Sequence, residues 1–512
     1  YSLRDTATLP YMVLKAAYAF ATYALPTGYY WHTVIGVASL VVTYAFAQGK
    51  TTDRERDLHA RTVLVTGAFT PLGLTTISNL ASRGANIIAI SPYPLDHPYN
   101  ALIIPAMRTT TKNENIFAEH ADLTSPASIR AFCTKFLTEG DQRLDAIVFA
   151  HEYCGVGSLF ASTPTHEAKR EAASLATFLI VTLLLPALLV APVERDIRIV
   201  NVVNPFYAAA VPSFNDDMIA SMAPDGTLKK RPLFQAEGHR ALRTIVLTRH
   251  LQRILNALPN RAPSLDEKTP GGVPSQSNSS ASTKEAKAST EDKSQPKFPS
   301  NIVAVSVAPG MSRAETIRVA LGADKSVDPE GYSTIGFITF ILFFPFIWLL
   351  GKSSDMAMQT VLHALFLPTP FKRALAHLAA ATAAAAAAAE NASSEAQKSD
   401  DTEKVSRPMQ NSFTEILKPG ALYRECSVVT VPIPPLPLAP ADSEGEDAKS
   451  RQDKKAKANS KLQEEVIEID DDGEYGGEKV GRLAWEWFEA HLKAWEAKEK
   501  PEEAKPEKPA SP

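Results

Sequence analysis

Cysteine is scarce. Cys133, Cys154 and Cys426 are the only three in 512 residues, and no two form a CxxC pair, so neither a zinc site nor a disulfide framework is indicated. A reducing compartment fits such a chain. An excess of basic charge is also missing: 53 Lys and Arg stand against 57 Asp and Glu, for a net charge of −4. Without a cationic surplus, nucleic acid is not an expected partner. Glycine is sparse, 24 against 37 prolines, which excludes collagen, and long apolar runs are too few for a polytopic transporter. No internal repeat of solenoid or propeller type is visible.

The apolar fraction of 45% is ordinary but unevenly spread. Tyr29–Ala47 (YYWHTVIGVASLVVTYAFA) carries no charged residue apart from neutral His32, and about twenty residues are needed to cross a bilayer. A transmembrane segment is expected here. Tyr29, Tyr30 and Trp31 suit an interfacial belt, while Lys50, Arg54 and Arg56 beyond the far end place the remainder in the cytosol. Ala16–Leu25, before Pro26-Thr27-Gly28, makes a re-entrant hairpin the alternative, and a buried core helix is the bland one.

Strand and helix patterns then alternate. Arg61–Thr66, Asn86–Ser91, Ile116–His120, Ala146–Ala150, Ile197–Val203 and Ile302–Val307 are short aliphatic runs, suited to strands buried on both faces. Helical patterns cover Leu72–Ser82, Ser125–Leu137, Glu171–Leu189 and Gln235–Leu255. The alternation predicts an α/β fold, a doubly wound parallel sheet of Rossmann-like type. Residues 1–50 read as anchor, 58–258 and 301–373 as core, and 259–300 as an insertion too polar to offset its ordering entropy, hence disordered. An Ala-rich and polar linker (374–410), a core-closing element (411–430), a disordered acidic tail (431–477) and a final helix (478–497) complete the expected order.

At Thr66-Gly67-Ala68-Phe69-Thr70-Pro71-Leu72-Gly73 a strand passes through a tight turn into a helix. Such a turn can offer backbone N–H groups and a positive helix end to a pyrophosphate. Together with Asp122-Leu123, LDAIVFA, FLIVTLLLP, RIVNVV, RTIVLTRHLQRIL and SVAPG, it resembles the short-chain dehydrogenase/reductase superfamily. The likeness is to the membrane-bound, retinol-dehydrogenase-like branch, as a divergent member of fungal type. It spans roughly Arg61–Pro368 and resumes at Pro419-Gly420-Ala421-Leu422-Tyr423 and LAWEWFEAHL. The resemblance implies NAD or NADP as cofactor, held by Thr66, Gly67, Gly73, Asp122, Pro309 and Gly310. It also implies a lipophilic small-molecule ligand, membrane lipid as partner, and the endoplasmic reticulum or a lipid droplet as location.

The functional positions depart from that family. Its middle turn glycine falls on Pro71, which has no N–H to donate. Its NNAG falls on Phe149-Ala150-His151-Glu152, its serine after the fifth strand on Asn204, and its Tyr-x-x-x-Lys pair on Glu237 and Ala241. That pair supplies proton transfer beside a nicotinamide, so the catalytic motif is degenerate. Tyr-x-x-x-Lys occurs as Tyr11/Lys15 and Tyr475/Lys479, both expected outside the core. Asn204, Glu237 and His239 are the candidate replacements, against a solvated helix face. Tyr207 lies just beyond Asn204, where an ordinary loop tyrosine is the bland reading, and His151-Glu152 sits at the carboxyl end of a strand, where open α/β sheets bind ligands or where it merely caps the next helix. Ser91-Pro92-Tyr93 carries neither the acid nor the arginine that would separate NAD from NADP.

Two later segments add expectations. Thr334–Leu350 (TIGFITFILFFPFIWLL) is short for a span and is read as a membrane-dipping segment, with a buried lid helix as the alternative. Val466, Ile467 and Ile469 before Asp470-Asp471-Asp472 resemble a motif that adds a strand to a SUMO-type modifier. A solvated charge run is the default.

Overall fold

The computed structural model describes residues 30–138, 143–160, 163–192, 194–222, 231–258, 299–325, 331–394, 415–436 and 469–499. The insertion, the apolar run before Pro26, Tyr11/Lys15, Val466 and Ile467 lie outside the described residues.

The expected strands form one sheet. β1 (Thr62–Thr66), β2 (Asn86–Ser91), β3 (Ile116–His120), β4 (Ala146–Phe149), β5 (Ile197–Val202) and β6 (Ile302–Val307) are joined by the short β7 (Leu422–Arg424) and β8 (Ser427–Val429). The order is β3-β2-β1-β4-β5-β6-β7-β8, and only the last pairing is antiparallel. The strand order reverses between β1 and β4, the switch point at which open α/β sheets bind ligands.

Eleven helices of seven residues or more surround or extend this sheet among the described residues, with a twelfth before it. They are α1 (Tyr30–Gln48), α2 (Pro71–Ala81), α3 (Pro98–Thr111), α4 (Pro126–Thr138), α5 (Pro164–Val190) and α6 (Phe214–Met222). Then come α7 (Leu233–Ala257), α8 (Thr334–Leu342), α9 (Phe344–Leu350), α10 (Ser354–Phe366), α11 (Pro370–Ser394) and α12 (Gly477–Glu499). Strand side chains alternate between faces, so Val63 and Val65 pack with Leu72, Ile77, Leu80, Val361 and Leu365 of α2 and α10. Leu64 and Ile147 pack on the other face with Ile129, Phe132, Leu179 and Leu184 of α4 and α5. Burying each such side chain contributes about 1.5–3 kcal/mol.

Three features differ from the sequence reading. α3 was not expected, because Pro98 and Pro105 frame a run with little amphipathic pattern; His97 caps it and Pro98 opens it. The two ends of the acidic tail belong to the core: Val431, Ile433 and Tyr475 are buried. Tyr475 thus lies inside the core, its hydroxyl donating to Val429 O at 3.2 Å and accepting from Leu422 N at 3.0 Å. That leaves it at the β7–β8 edge as a structural tie. Thirdly, Arg56 is a partly buried residue whose guanidinium lies 3.0 Å from the buried Asp196 carboxylate, rather than a free surface charge.

Thr334–Leu350 is not the buried lid of the alternative reading. It breaks at Phe343 into α8 and α9, and Ile338, Leu342 and Phe346 are more than 60% exposed. α9 packs on α1, with Tyr44 and Trp348 stacked at 4.9 Å. Among the described residues, α1 and α5 are long and apolar enough to cross a membrane, but α5 is largely a core helix whereas α1 is almost wholly exposed.

Candidate functional site

The turn after β1 is built as the sequence suggests. Gly67 has φ +65°, and a Cβ there would lie 2.7 Å from His151 N, so only glycine fits this left-handed position beneath the β4 loop. Most donors of the α2 end are accounted for within the turn. Pro71 has none. Gly73 N donates to Thr70 Oγ1 at 3.1 Å and Leu74 N to Thr70 O at 2.8 Å, while Thr70 N and its hydroxyl both turn back to Gly67 O. Pro71, Gly73 and Leu74 thus offer a pyrophosphate no free N–H as folded. Glu315, a buried residue after β6, is hydrogen-bonded by the Ser312 hydroxyl of its own turn.

At the ends of β4 and β5 the side chains also tie the fold together. His151 Nδ1 lies 2.7 Å from Thr66 Oγ1 and Nε2 lies 2.9 Å from Ala173 O, bridging β1 to α5. Burial pushes its pKa down, against the pull of Glu152. Glu152 accepts from Thr177 Oγ1 at 2.6 Å and Thr244 Oγ1 at 2.9 Å, joining α5 to α7. Asn204 Nδ2 donates to Glu237 O at 3.2 Å, and its Oδ1 accepts from Phe206 N at 3.0 Å. Tyr207 is buried.

Glu237 sits not on a solvated face but in a buried ion cluster. Its Oε1 lies 2.9 Å from Arg170 Nε and accepts from Gly157 N at 3.1 Å, while Oε2 pairs with Arg240. Arg240 also donates to Gly155 O at 2.6 Å. Ala241, where the lysine would stand, is buried in the apolar core. The structure therefore brings Asn204 and Glu237 together but not His239, because residues two apart on a helix point different ways. His239 Nε2 lies 3.1 Å from Ser213 Oγ and 2.5 Å from Asp217 Oδ2. Burial and the nearby Arg231 push its pKa down to about 4, with Asp217 opposing. That direction works against a protonated imidazole at neutral pH.

The remaining candidates hold turns. Asp122 accepts from Thr124 N at 2.9 Å and Thr124 Oγ1 at 2.8 Å, an Asx turn before α4. Pro309 O accepts from Lys352 Nζ at 3.0 Å and Gly310 O from Tyr153 Oη at 2.9 Å. In the acidic block, Asp472 is paired with Arg249 and Arg253 of α7, so this carboxylate is engaged within the chain rather than presented beside Ile469. A cavity of about 920 Å³, lined by Asn86, Ala101, Ile104, Arg108, Phe117 and Lys135, lies along the β2–β3 side and not over the turn.

Sequence reasoning missed Glu315, Arg170 and Arg240. The one local signal near Glu315 was Ser312-Arg313-Ala314-Glu315, the pattern of a capping box, half of which is present as the hydrogen bond from Glu315 N to Ser312 Oγ at 3.1 Å.

No family model matches the chain. It is 28% identical over 190 residues to the uncharacterized oxidoreductase pbr1 of Schizosaccharomyces pombe, covering 36% of this chain and 50% of that protein. It is 34% identical over 116 residues to human retinol dehydrogenase 13, covering 23% and 33%. Among solved structures, the oxidoreductase yciK of E. coli aligns at 14% identity with a TM-score of 0.35, covering 59% and 97%. The matched stretch spans about half the length of the fungal relatives.

Proposed function

Because this chain belongs to the short-chain dehydrogenase/reductase superfamily, with retinol-dehydrogenase-like relatives, we propose that it is a membrane-anchored oxidoreductase of that type. It meets a lipophilic alcohol or ketone at the bilayer surface and takes NAD or NADP as cofactor. The observation that carries this reading is the joint apolar face of α1, α8 and α9 and its attachment to the ligand side of the sheet. Gln48 at the end of α1 donates to Gly351 O at 3.2 Å, and Arg313 Nε donates to the same oxygen at 3.0 Å. Ser312 bridges to Lys352 in parallel, and Lys352 reaches Pro309. The carboxyl end of β6 is thereby tied to the apolar hairpin, so a bilayer-dissolved ligand reaches the sheet without crossing water. Exposed apolar patches of this extent mark membrane or partner contacts. Lys50 and Arg54 beyond α1 favour a cytosolic core, at the endoplasmic reticulum or a lipid droplet.

A second reading, a catalytically silent scaffold at a lipid surface, is favoured by Glu237 and Ala241 where proton transfer would need Tyr and Lys. Nucleotide fluorescence during titration of the full chain in detergent with NADH and NADPH separates the two. The first reading expects saturable binding of one nucleotide and reduction of a hydrophobic ketone. Binding of neither, with no turnover, leaves the scaffold.

A further inference from the structure

β3 is an open edge of the sheet, and the cavity of about 920 Å³ lies against it, within the size range of small-molecule sites. Its apolar walls come from Leu95, from Ala101 and Ile104 of α3, from Phe117 of β3, and from Phe132 and Phe136 of α4. Leu95 and Phe117 are about half exposed, so this lining is open to a ligand rather than sealed in the core. The charges along it are unevenly matched. Lys135 pairs with Glu119 at 2.8 Å and Arg143 with Asp145 at 2.8 Å. Arg108 of α3 has no carboxylate within ion-pair distance among the described residues. Its Nε and Nη2 donate to Ile116 O at 3.0 Å and 2.7 Å, and its guanidinium lies 5.5 Å from the centre of the Phe117 ring.

An edge strand invites a further strand through its unpaired backbone groups. Here Arg108 closes the edge at Ile116 O, which disfavours an added peptide. Arginine carries five donors in a planar fork, so its outer Nη1–Nη2 side is left for a second acceptor. With Glu119 and Asp145 already offsetting Lys135 and Arg143, one positive charge at the cavity lacks a counterion. That balance suits a monoanion, whereas a phosphate monoester of charge roughly −2 would bring a surplus negative charge against Glu119. A carboxylate matches the flat guanidinium edge, and the aliphatic and phenyl walls suit hydrocarbon. We propose that this cavity binds a long-chain aliphatic carboxylate, its head on Arg108 and its chain against Phe117, Phe132 and Phe136. The site lies apart from the turn after β1, and neither its charge balance nor its lining depends on the oxidoreductase reading.

The test labels the full chain, held in phosphatidylcholine nanodiscs, with a palmitate analogue carrying a photoreactive diazirine in its chain. Labelled peptides are mapped by mass spectrometry, with palmitate and hexadecanol as competitors. Labelling is expected on α3, β3 and α4, displaced by palmitate but not by hexadecanol. Arg108→Gln keeps a donor for Ile116 O and loses the charge, and should weaken competition by palmitate about tenfold or more. Arg108→Lys should recover part of that loss. Ala101→Trp, at an exposed position of α3 that lines the cavity, should block labelling by filling the space. Circular dichroism checks the fold of each variant, and if one of Arg108→Gln and Ala101→Trp fails to fold the other carries the comparison. Labelling confined to α1, α8 and α9, equal competition by hexadecanol, or labelling that both variants leave unchanged overturns the proposal. Cross-linking between the β3 strands of two copies would give the edge to a second copy and overturn it as well.

Discussion

Replacing Glu237 by Gln tests whether position 237 is a structural ion cluster or an exposed acid. The side chains of Arg170, Glu237 and Arg240 are 7%, 2% and 6% exposed, so removing the carboxylate's charge leaves two guanidinium groups in the core with their countercharge gone. Breaking a buried pair from one side costs about 3–5 kcal/mol, whereas a change on a solvated face stays within about 0.5 kcal/mol. At about 2–4 °C per kcal/mol for a domain of this size, Tm should fall by roughly 10 °C. Urea unfolding of the full chain, followed by circular dichroism, gives the free energy directly. Substituting all three together, Glu237→Leu with Arg170→Met and Arg240→Met, should recover most of the loss, because buried ion clusters are often replaceable by apolar side chains of similar volume. A loss below about 1 kcal/mol for Glu237→Gln would refute the cluster's structural role and return Glu237 to the list of candidate acids.

Acid stability should depend on Asp196. Burial alone would raise its pKa, but Arg198 and then Arg56 overcome this and hold it near about 2. The folded value lies below the unfolded one, so this stabilisation is complete above about pH 4 and is lost as pH falls towards 2. Asp196→Asn should flatten that acid limb in urea titrations between pH 6 and pH 3; an unchanged limb would assign it to other carboxylates. Membrane association should have two parts: a chain lacking residues 1–47 is expected to keep residual liposome binding through α8 and α9. Ile338→Ser, Ile341→Ser and Leu342→Ser together should remove that residue of binding in flotation assays, and a truncated chain that never floats would contradict the second contact.

Much of the fold was legible because its causes are local. β2, β3 and β6 run between the residues read from the sequence, since an aliphatic run between turn residues is its own signal whatever packs on it. The Thr66–Gly73 turn was equally plain, because a left-handed Gly67 and a Thr70 cap depend on neighbours in the chain. α3 and the β7–β8 pair were not, since tertiary contacts outweigh weak propensity there.

The site divides in the same way. Sequence alone determined that Tyr and Lys are absent from positions 237 and 241 and that Pro71 withholds an amide, because these are matters of residue identity. Only the tertiary structure decided what surrounds them: Arg170 and Arg240 closed around Glu237, Ala241 buried in the apolar core, and α9 stacked on α1 through Tyr44 and Trp348. Each joins segments far apart in the chain, and neither periodicity nor turn chemistry carries information about which distant partner a buried charge or an apolar face will find.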